Sequence, residues 1–262
     1  MIKLITTDMD GTLLNEHGKL PDGFFELLEE LNRKDIKFTI ASGRPYPVLY
    51  ETFKPYSDNL YFICDNGSYI VEPNNEAIMS IIEKSIVKNI ISICEDIEDI
   101  TLVLCGVNST YYTTCNEEVE KELSKYYINK ELSLNPLNIN DDIFKIAIYD
   151  SKNSQKNSFK VLNPLVGDVA KVVVSGAHWL DITNKGIDKG QALNKIQTDF
   201  NISYDETMAF GDFYNDVEML QSAHYSFVMA NANDDMKQYG NYIARPNTEA
   251  GVIHAIREYV LK

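Results

Sequence analysis

Two carboxylates one residue apart follow the first apolar run of this chain. They are Asp8 and Asp10, in Leu4-Ile5-Thr6-Thr7-Asp8-Met9-Asp10-Gly11-Thr12-Leu13-Leu14. The run from Ile2 to Ile5 is too short for an independent helix and rich in β-branched residues, which predicts a buried parallel strand. On an extended chain alternate side chains share a face, so Asp8 and Asp10 are expected to address one point beyond the strand's carboxyl end. Open α/β sheets bind their ligands at that edge. Like charges held so close repel, and are tolerated best with a cation between them or one proton shared. Asp-x-Asp-Gly is equally compatible with a plain acidic turn. Residues further along the chain must decide between the two readings.

With 262 residues the chain has room for one large or two ordinary domains, and 44% hydrophobic against 24% charged residues predicts a folded, soluble protein. A net charge of −15 argues against nucleic acid or an anionic membrane as partner, while leaving room for a small anionic substrate held by local cations. Cys64, Cys94, Cys105 and Cys115 show no C-x-x-C spacing and are expected as free thiols, neither zinc ligands nor a disulfide framework. Neither a secretory signal nor a stretch of roughly 20 apolar residues is evident. A cytoplasmic location is therefore expected, in which the Asn-x-Ser/Thr triplets at Asn66, Asn108 and Asn201 carry no glycosylation meaning.

After the opening strand, Pro21 is expected to start a helix with Phe24, Leu27, Leu28 and Leu31 on its apolar stripe. Strands are expected at Lys37 to Ala41 and Leu60 to Cys64, with a helix from Val48 to Phe53 between them. The first of these strands ends in Ser42-Gly43-Arg44, a small hydroxyl with exposed backbone N–H groups suited to phosphate oxygens. The second ends in Asp65-Asn66-Gly67, a turn signal, and a hairpin is expected around Pro73-Asn74-Asn75. The pattern then changes. Helices are expected at Ser85 to Ile97 and Glu117 to Tyr127, with a less regular one before Lys171. Strands are expected near Leu102 and Tyr111, and at Lys145 to Tyr149, Lys171 to Val174 and His178 to Ile182. This reads as an α+β domain, residues 83–186, inserted into a core of residues 1–82 and 187–262. The core resumes with a helix opened by Lys189, a strand from Thr207 to Phe210, then Gly211-Asp212-Phe213-Tyr214-Asn215-Asp216 and a helix holding Val217 and Leu220. A strand from Tyr225 to Met229 and helices at Asp234 to Tyr239 and Glu249 to Val260 close it. Strands alternating with helices on both sides of an insertion predict a doubly wound, Rossmann-like parallel sheet.

Four strand ends thus offer complementary chemistry. Asp8, Asp10, Asp212 and Asp216 bring carboxylates, Ser42 and Thr12 hydroxyls, Asn215 an amide and Lys189 an ammonium. A hard divalent cation such as Mg²⁺ prefers such oxygens and would relieve their repulsion. A carboxylate is a competent nucleophile towards phosphorus, and a second one nearby can protonate the leaving oxygen and later deprotonate water.

As an ordered set, Asp8-Met9-Asp10-Gly11-Thr12, Ser42-Gly43-Arg44, Lys189 and Gly211-Asp212-x-x-Asn215-Asp216 resemble the motifs of the haloacid dehalogenase-like hydrolases. The insertion between the second and third motifs, with Leu180-Asp181-Ile182 before Lys189-Gly190, resembles the Cof-like phosphatase branch. The resemblance spans the chain and implies a Mg²⁺-dependent phosphatase of small phosphorylated metabolites, sugar phosphates foremost, working through an aspartyl-phosphate. By that resemblance Asp8 is the nucleophile and a metal ligand, and Asp10 binds metal through its backbone carbonyl while its side chain serves as general acid and base. Asp212 and Asp216 complete the metal site. Met9, Ser42, Gly43, Lys189 and Asn215 hold phosphate, with Lys189 bridging Asp8 and the phosphoryl group. Thr12, Arg44 and Asn66 are candidate substrate contacts. For each a structural role stands beside that one: a turn for Thr12 and Asn66, a salt bridge to the acidic rim for Arg44. His17, His178, His224 and His254 lack metal-ligand spacing and are read as structural, as is Trp179.

A phosphomutase would share every core residue. A phospho-accepting signalling module also combines Asp, Ser/Thr, Lys and Mg²⁺, but here the acceptor is on the first strand and a hundred-residue insertion precedes the lysine. A dehalogenase has no need of Asp10 as an acid, and an inactive binding protein would be expected to lack Asp8 or Asp10.

Overall fold

The apolar run forms strand β1 (Leu4–Thr7), buried along its whole length. The computed structural model describes residues 1–73 and 76–261. After β1 come α1 (Phe24–Arg33), β2 (Lys37–Ala41), α2 (Tyr46–Phe53), β3 (Tyr61–Cys64), β4 (Tyr69–Val71) and β5 (Ala77–Met79). A second series follows: α3 (Lys84–Cys94), β6 (Ile100–Gly106), β7 (Thr110–Tyr112), α4 (Glu117–Leu123), β8 (Lys130–Leu132), β9 (Ile143–Asp150), α5 (Ser158–Val166), β10 (Ala170–Gly176) and β11 (Trp179–Asn184). The last series is α6 (Lys189–Asp199), β12 (Thr207–Gly211), α7 (Val217–Gln221), β13 (Tyr225–Met229), β14 (Tyr242–Ala244) and α8 (Gly251–Tyr259). The elements fall into two units, residues 1–78 with 188–262, and residues 79–187.

The first unit is built on a sheet ordered β14-β13-β12-β1-β2-β3-β4-β5. From β14 to β3 every pairing is parallel, and β4 turns antiparallel to β3. Of the hairpin around Pro73-Asn74-Asn75, the two asparagines lie outside the described residues. Strand alternation divides the core in two. Ile5, Phe38, Ile40, Phe62, Phe210 and Phe227 face α1, α2 and α8, whose Leu27, Phe53 and Ile256 are fully buried. Leu4, Ala41, Ile63, Ala209 and Val228 face Leu193 and Ile196 of α6 and Leu220 of α7. The chain winds from β1 towards β3, then restarts on β1's other side with β12. That reversal opens a crevice at the carboxyl ends of β1 and β12.

The second unit carries a sheet ordered β10-β11-β9-β6-β7-β8. Leu102, Leu104, Ile146, Ile148, Leu180 and Ile182 share one apolar cluster with Val87, Ile90 and Ile91 of α3 and Leu162 and Val166 of α5. Trp179 alternates with Leu180 and sits among the rings of Tyr126, Tyr127 and Tyr149. The buried Asp150 carboxylate accepts the N–H groups of Lys152, Asn153 and Ser158, which fixes the polar turn leading into α5.

Several ends differ from expectation. Helix α4 stops at Leu123 rather than Tyr127, and α3 at Cys94 rather than Ile97. Residues 234–239 form a 3₁₀ helix. The short strands β8 and β14 had no alternating signal to announce them. The four cysteines are free thiols. Among the described residues no helix is long and apolar enough to cross a membrane.

Among the described residues, the Thr39 hydroxyl is the one buried side-chain polar atom without a hydrogen-bond partner. A buried, unpaired hydroxyl costs about 1–3 kcal/mol, and valine has nearly the same shape. Thr39→Val is therefore expected to stabilise the protein by about 1 kcal/mol in denaturant unfolding. A loss of stability of that size would contradict it.

Candidate active site

Four polypeptide segments converge at the crevice, each delivered by a strand end or a helix start. Asp8 follows β1 directly, and its N–H donates to Phe210 O at 2.9 Å, extending the β1–β12 ladder by one step. Asp212 and Asp216 lie in the turn between β12 and α7. The Asp188 side chain caps α6 by accepting the Gln191 N–H at 2.8 Å, which places Lys189 at the helix's first position.

Lys189 is fully buried, and its Nζ donates to Asp8 Oδ1 at 2.5 Å and to Asp216 Oδ1 at 2.7 Å. The other Asp216 oxygen accepts the backbone N–H groups of Asp212 and Phe213, curling that turn around the carboxylate. Thr12 Oγ1 donates to Asp212 Oδ1 at 2.7 Å. Carboxylate oxygens of Asp8, Asp212 and Asp216 all lie within 4.8 Å of one another. Three carboxylates against one ammonium leave two negative charges, which matches the charge of a divalent cation. These hard oxygen donors fit such an ion.

The electrostatics carry the same imbalance. Burial, then repulsion by Asp216, push the Asp8 carboxyl up to about 8 despite its bond to Lys189. Burial also raises Asp212 to about 6, although the Thr12 hydroxyl works the other way. For Lys189 burial opposes the charge, but Asp216 and Asp8 outweigh it and hold the ammonium above its ordinary value.

Asp10 departs from the expectation that it shares a target with Asp8. Strand geometry ends at Thr7, and Asp10 and Gly11 occupy a tight turn, so the alternation that would align the two acids no longer applies. Both Asp10 oxygens instead accept from Arg44, at 2.9 Å from Nε and 2.6 Å from the terminal nitrogen. Of the two roles open to Arg44, the structure shows the salt bridge.

Gly11 is required where it stands. Its φ is +81°, and a Cβ there would lie 2.3 Å from Asp212 Oδ2. Met9 is buried, and Leu14 N–H returns to its carbonyl at 2.8 Å, closing the loop.

Ser42 is buried, with Oγ accepting the Arg44 N–H at 3.2 Å. Gly43 lies beside the Asn66 amide. Asn66 is left-handed at φ +54°, donates its N–H to Ser42 O, and accepts from Asn215 Nδ2 at 3.0 Å. It therefore ties together the turns after β2, β3 and β12. Two further residues bear on the site without having been singled out: Asn231 and Asn247, which bond to the loop after Asp8. Neither belongs to an apolar repeat or an acidic pair, so no pattern pointed to them.

A family model described as haloacid dehalogenase-like hydrolase matches residues 5–256. The chain belongs to that family. Among its relatives is the Escherichia coli (strain K12) protein named 5-amino-6-(5-phospho-D-ribitylamino)uracil phosphatase YbjI, 28% identical over 263 residues, covering 100% of this chain and 97% of that protein. YcsE of Bacillus subtilis (strain 168), named for the same activity, is 26% identical over 261 residues, covering 99% of this chain and 96% of its own length. The crystal structure of SMU.1108c from Streptococcus mutans UA159 superposes with a TM-score of 0.86 at 32% identity, over 100% of both chains. This chain of the haloacid dehalogenase-like hydrolases is an enzyme of the phosphatase class.

A carboxyl whose folded value is raised binds protons more readily when folded, so its stabilising contribution is present at low pH and lost as pH rises. For Asp8 the window runs from 3.8 to about 8, and for Asp212 from 3.8 to about 6. In EDTA, the melting temperature of the wild type is therefore expected to fall more steeply from mildly acidic to mildly alkaline pH than that of Asp8→Asn. Parallel slopes would show that the acid cluster is not strained.

Proposed function

We propose that the chain is a Mg²⁺-dependent phosphatase of small phosphorylated metabolites, with sugar phosphates the leading class, acting through an aspartyl-phosphate on Asp8. The observation that carries this reading is the buried Lys189 ammonium bonded to both Asp8 and Asp216, with Asp212 completing an oxygen cluster. Asp8, Asp212, Asp216 and the Asp10 backbone carbonyl would hold Mg²⁺. When bound, the ion supplies the missing positive charge that keeps Asp8 ionised and screens the phosphoryl oxygens.

In the first step an Asp8 oxygen attacks phosphorus, the bond to the leaving oxygen breaks, and Asp10 donates a proton to it. In the second, Asp10 takes a proton from water, the water oxygen attacks phosphorus, and the Asp8–phosphorus bond breaks to release phosphate. Lys189 neutralises charge on Asp8 and the phosphoryl group throughout. Ser42, the Gly43 and Met9 backbones, and Asn215 hold the phosphoryl oxygens. Arg44 engages both Asp10 oxygens, so Asp10 reaches a leaving group only by giving up part of that pair. Thr12 orients Asp212, and Asn66 sets the turns carrying Ser42 and Asn215. Support for the substrate class comes from YbjI and YcsE, whose named substrate carries its phosphate on a ribityl chain.

Phosphate release from a panel of phosphorylated metabolites tests this, with Mg²⁺ or EDTA, for wild type, Asp8→Asn and Asp10→Asn. Release is expected only with Mg²⁺, absent in Asp8→Asn and reduced about 10²–10⁴-fold in Asp10→Asn. Release that survives Asp8→Asn, or none from folded, Mg²⁺-loaded wild type, would overturn the proposal.

A further inference from the structure

The loop after Asp8 is held by two asparagines that follow strands β13 and β14. Asn231, in the turn after β13, donates Nδ2–H to Gly11 O at 2.8 Å. Its Oδ1 accepts the backbone N–H of Asn247 at 3.0 Å. Asn247 in turn donates Nδ2–H to Leu14 O at 2.8 Å, in a bond shielded from solvent. The two residues form one relay, joined through the Asn247 backbone N–H, and it terminates on two carbonyls of the same loop.

What the relay holds is a tight turn. Asp10 (φ −83°, ψ 120°) and Gly11 (φ 81°, ψ −7°) have the central angles of a type II turn. The Asp10 carbonyl belongs to the peptide at the centre of this turn, between Asp10 and Gly11. A fixed Gly11 carbonyl restrains ψ of Gly11, and a fixed Leu14 carbonyl restrains the exit of the loop. The Leu14 N–H donates to Met9 O, so the loop is also closed on its entry side.

We infer that Asn231, supported by Asn247, is a positioning residue that holds in place the turn whose Asp10 carbonyl would bind the metal. This rests on the reading above, in which that carbonyl is a ligand of Mg²⁺. Asn231 touches neither a carboxylate of the cluster nor Lys189 through any hydrogen bond in this structure, so its action passes through the Gly11 peptide. Loss of an outer-sphere partner of this kind lowers metal affinity by about 10–100-fold.

The test uses the full chain, with Asn231→Ala and Asn231→Asp beside the wild type. The aspartate keeps the acceptor for the Asn247 N–H but lacks the donor to Gly11 O, and its negative charge would by itself attract a cation. Mg²⁺ dissociation constants come from titration calorimetry without substrate. Melting temperatures in EDTA, and KM and kcat at saturating Mg²⁺, are measured alongside. Both variants are expected to bind Mg²⁺ about 10–100-fold more weakly, with KM at saturating Mg²⁺ near the wild-type value. Asn231→Asp should do so while melting close to the wild type. Unchanged Mg²⁺ affinity in both variants, or a loss seen only in a variant that melts much lower, overturns the inference and leaves the phosphatase reading standing. A wild type that binds no Mg²⁺ overturns both.

Discussion

One ammonium, buried between two carboxylates, sets the terms for the rest of this molecule. Lys189 is wholly shielded from water and reaches Asp8 and Asp216 at once. Such a charge is tolerable only with its partners in place, because removing one leaves an uncompensated ion in a low-dielectric interior. The three groups come from distant parts of the sequence, so the arrangement depends on the sheet that gathers them. Asp8 stands at the end of β1, Asp216 in the turn after β12, and Lys189 on the first turn of α6. Burial first, and then the neighbouring Asp216, raise Asp8 and Asp212, and the cluster's excess negative charge is the physical reason it suits a divalent cation.

The scaffold makes that gathering inexpensive in local terms. Parallel pairing of β1 with both β2 and β12 aligns three carboxyl-terminal edges, and the reversal of winding leaves the crevice unfilled by a crossover. Close approach then matters more than propensity. Gly11 leaves room for Asp212, and Gly67, at φ +105°, has the Asp188 carbonyl where a Cβ would be. The turn bearing Asn66 thereby abuts the start of α6, and Asn66 links it to Ser42 and Asn215. Each site residue is thus held by a backbone turn, and the turns are held by one another.

Much of this was legible in the sequence, for identifiable reasons. Strands β2 and β13 match their expected ends because both are short apolar runs bounded by turn residues. The apolar face of α1 followed from the spacing of Phe24, Leu27, Leu28 and Leu31, although the helix starts at Phe24 and not at Pro21, because the left-handed Gly23 precedes it. The ends of α3 and α4 were overextended because apolar spacing continues through Ile97 and Tyr127 after the helices stop. At the site, the order of strands implied that Asp8, Lys189, Asp212 and Asp216 meet. The direction of the Asp10 side chain did not follow, since it depends on where β1 ends and on Arg44, thirty-four residues on. The relay from Asn231 through Asn247 is a matter of side-chain amides meeting loop carbonyls, and neither periodicity nor charge pattern encodes that.

The central claim is that phosphorus is handed first to Asp8 and only then to water. The stereochemistry of transfer tests it most directly, using a good substrate made chiral at phosphorus with isotopic oxygen and sulfur and run in labelled water. Two successive in-line displacements each invert the centre, so overall retention of configuration is the expected result. Overall inversion would mean a single direct attack by water, and would contradict the role given to Asp8.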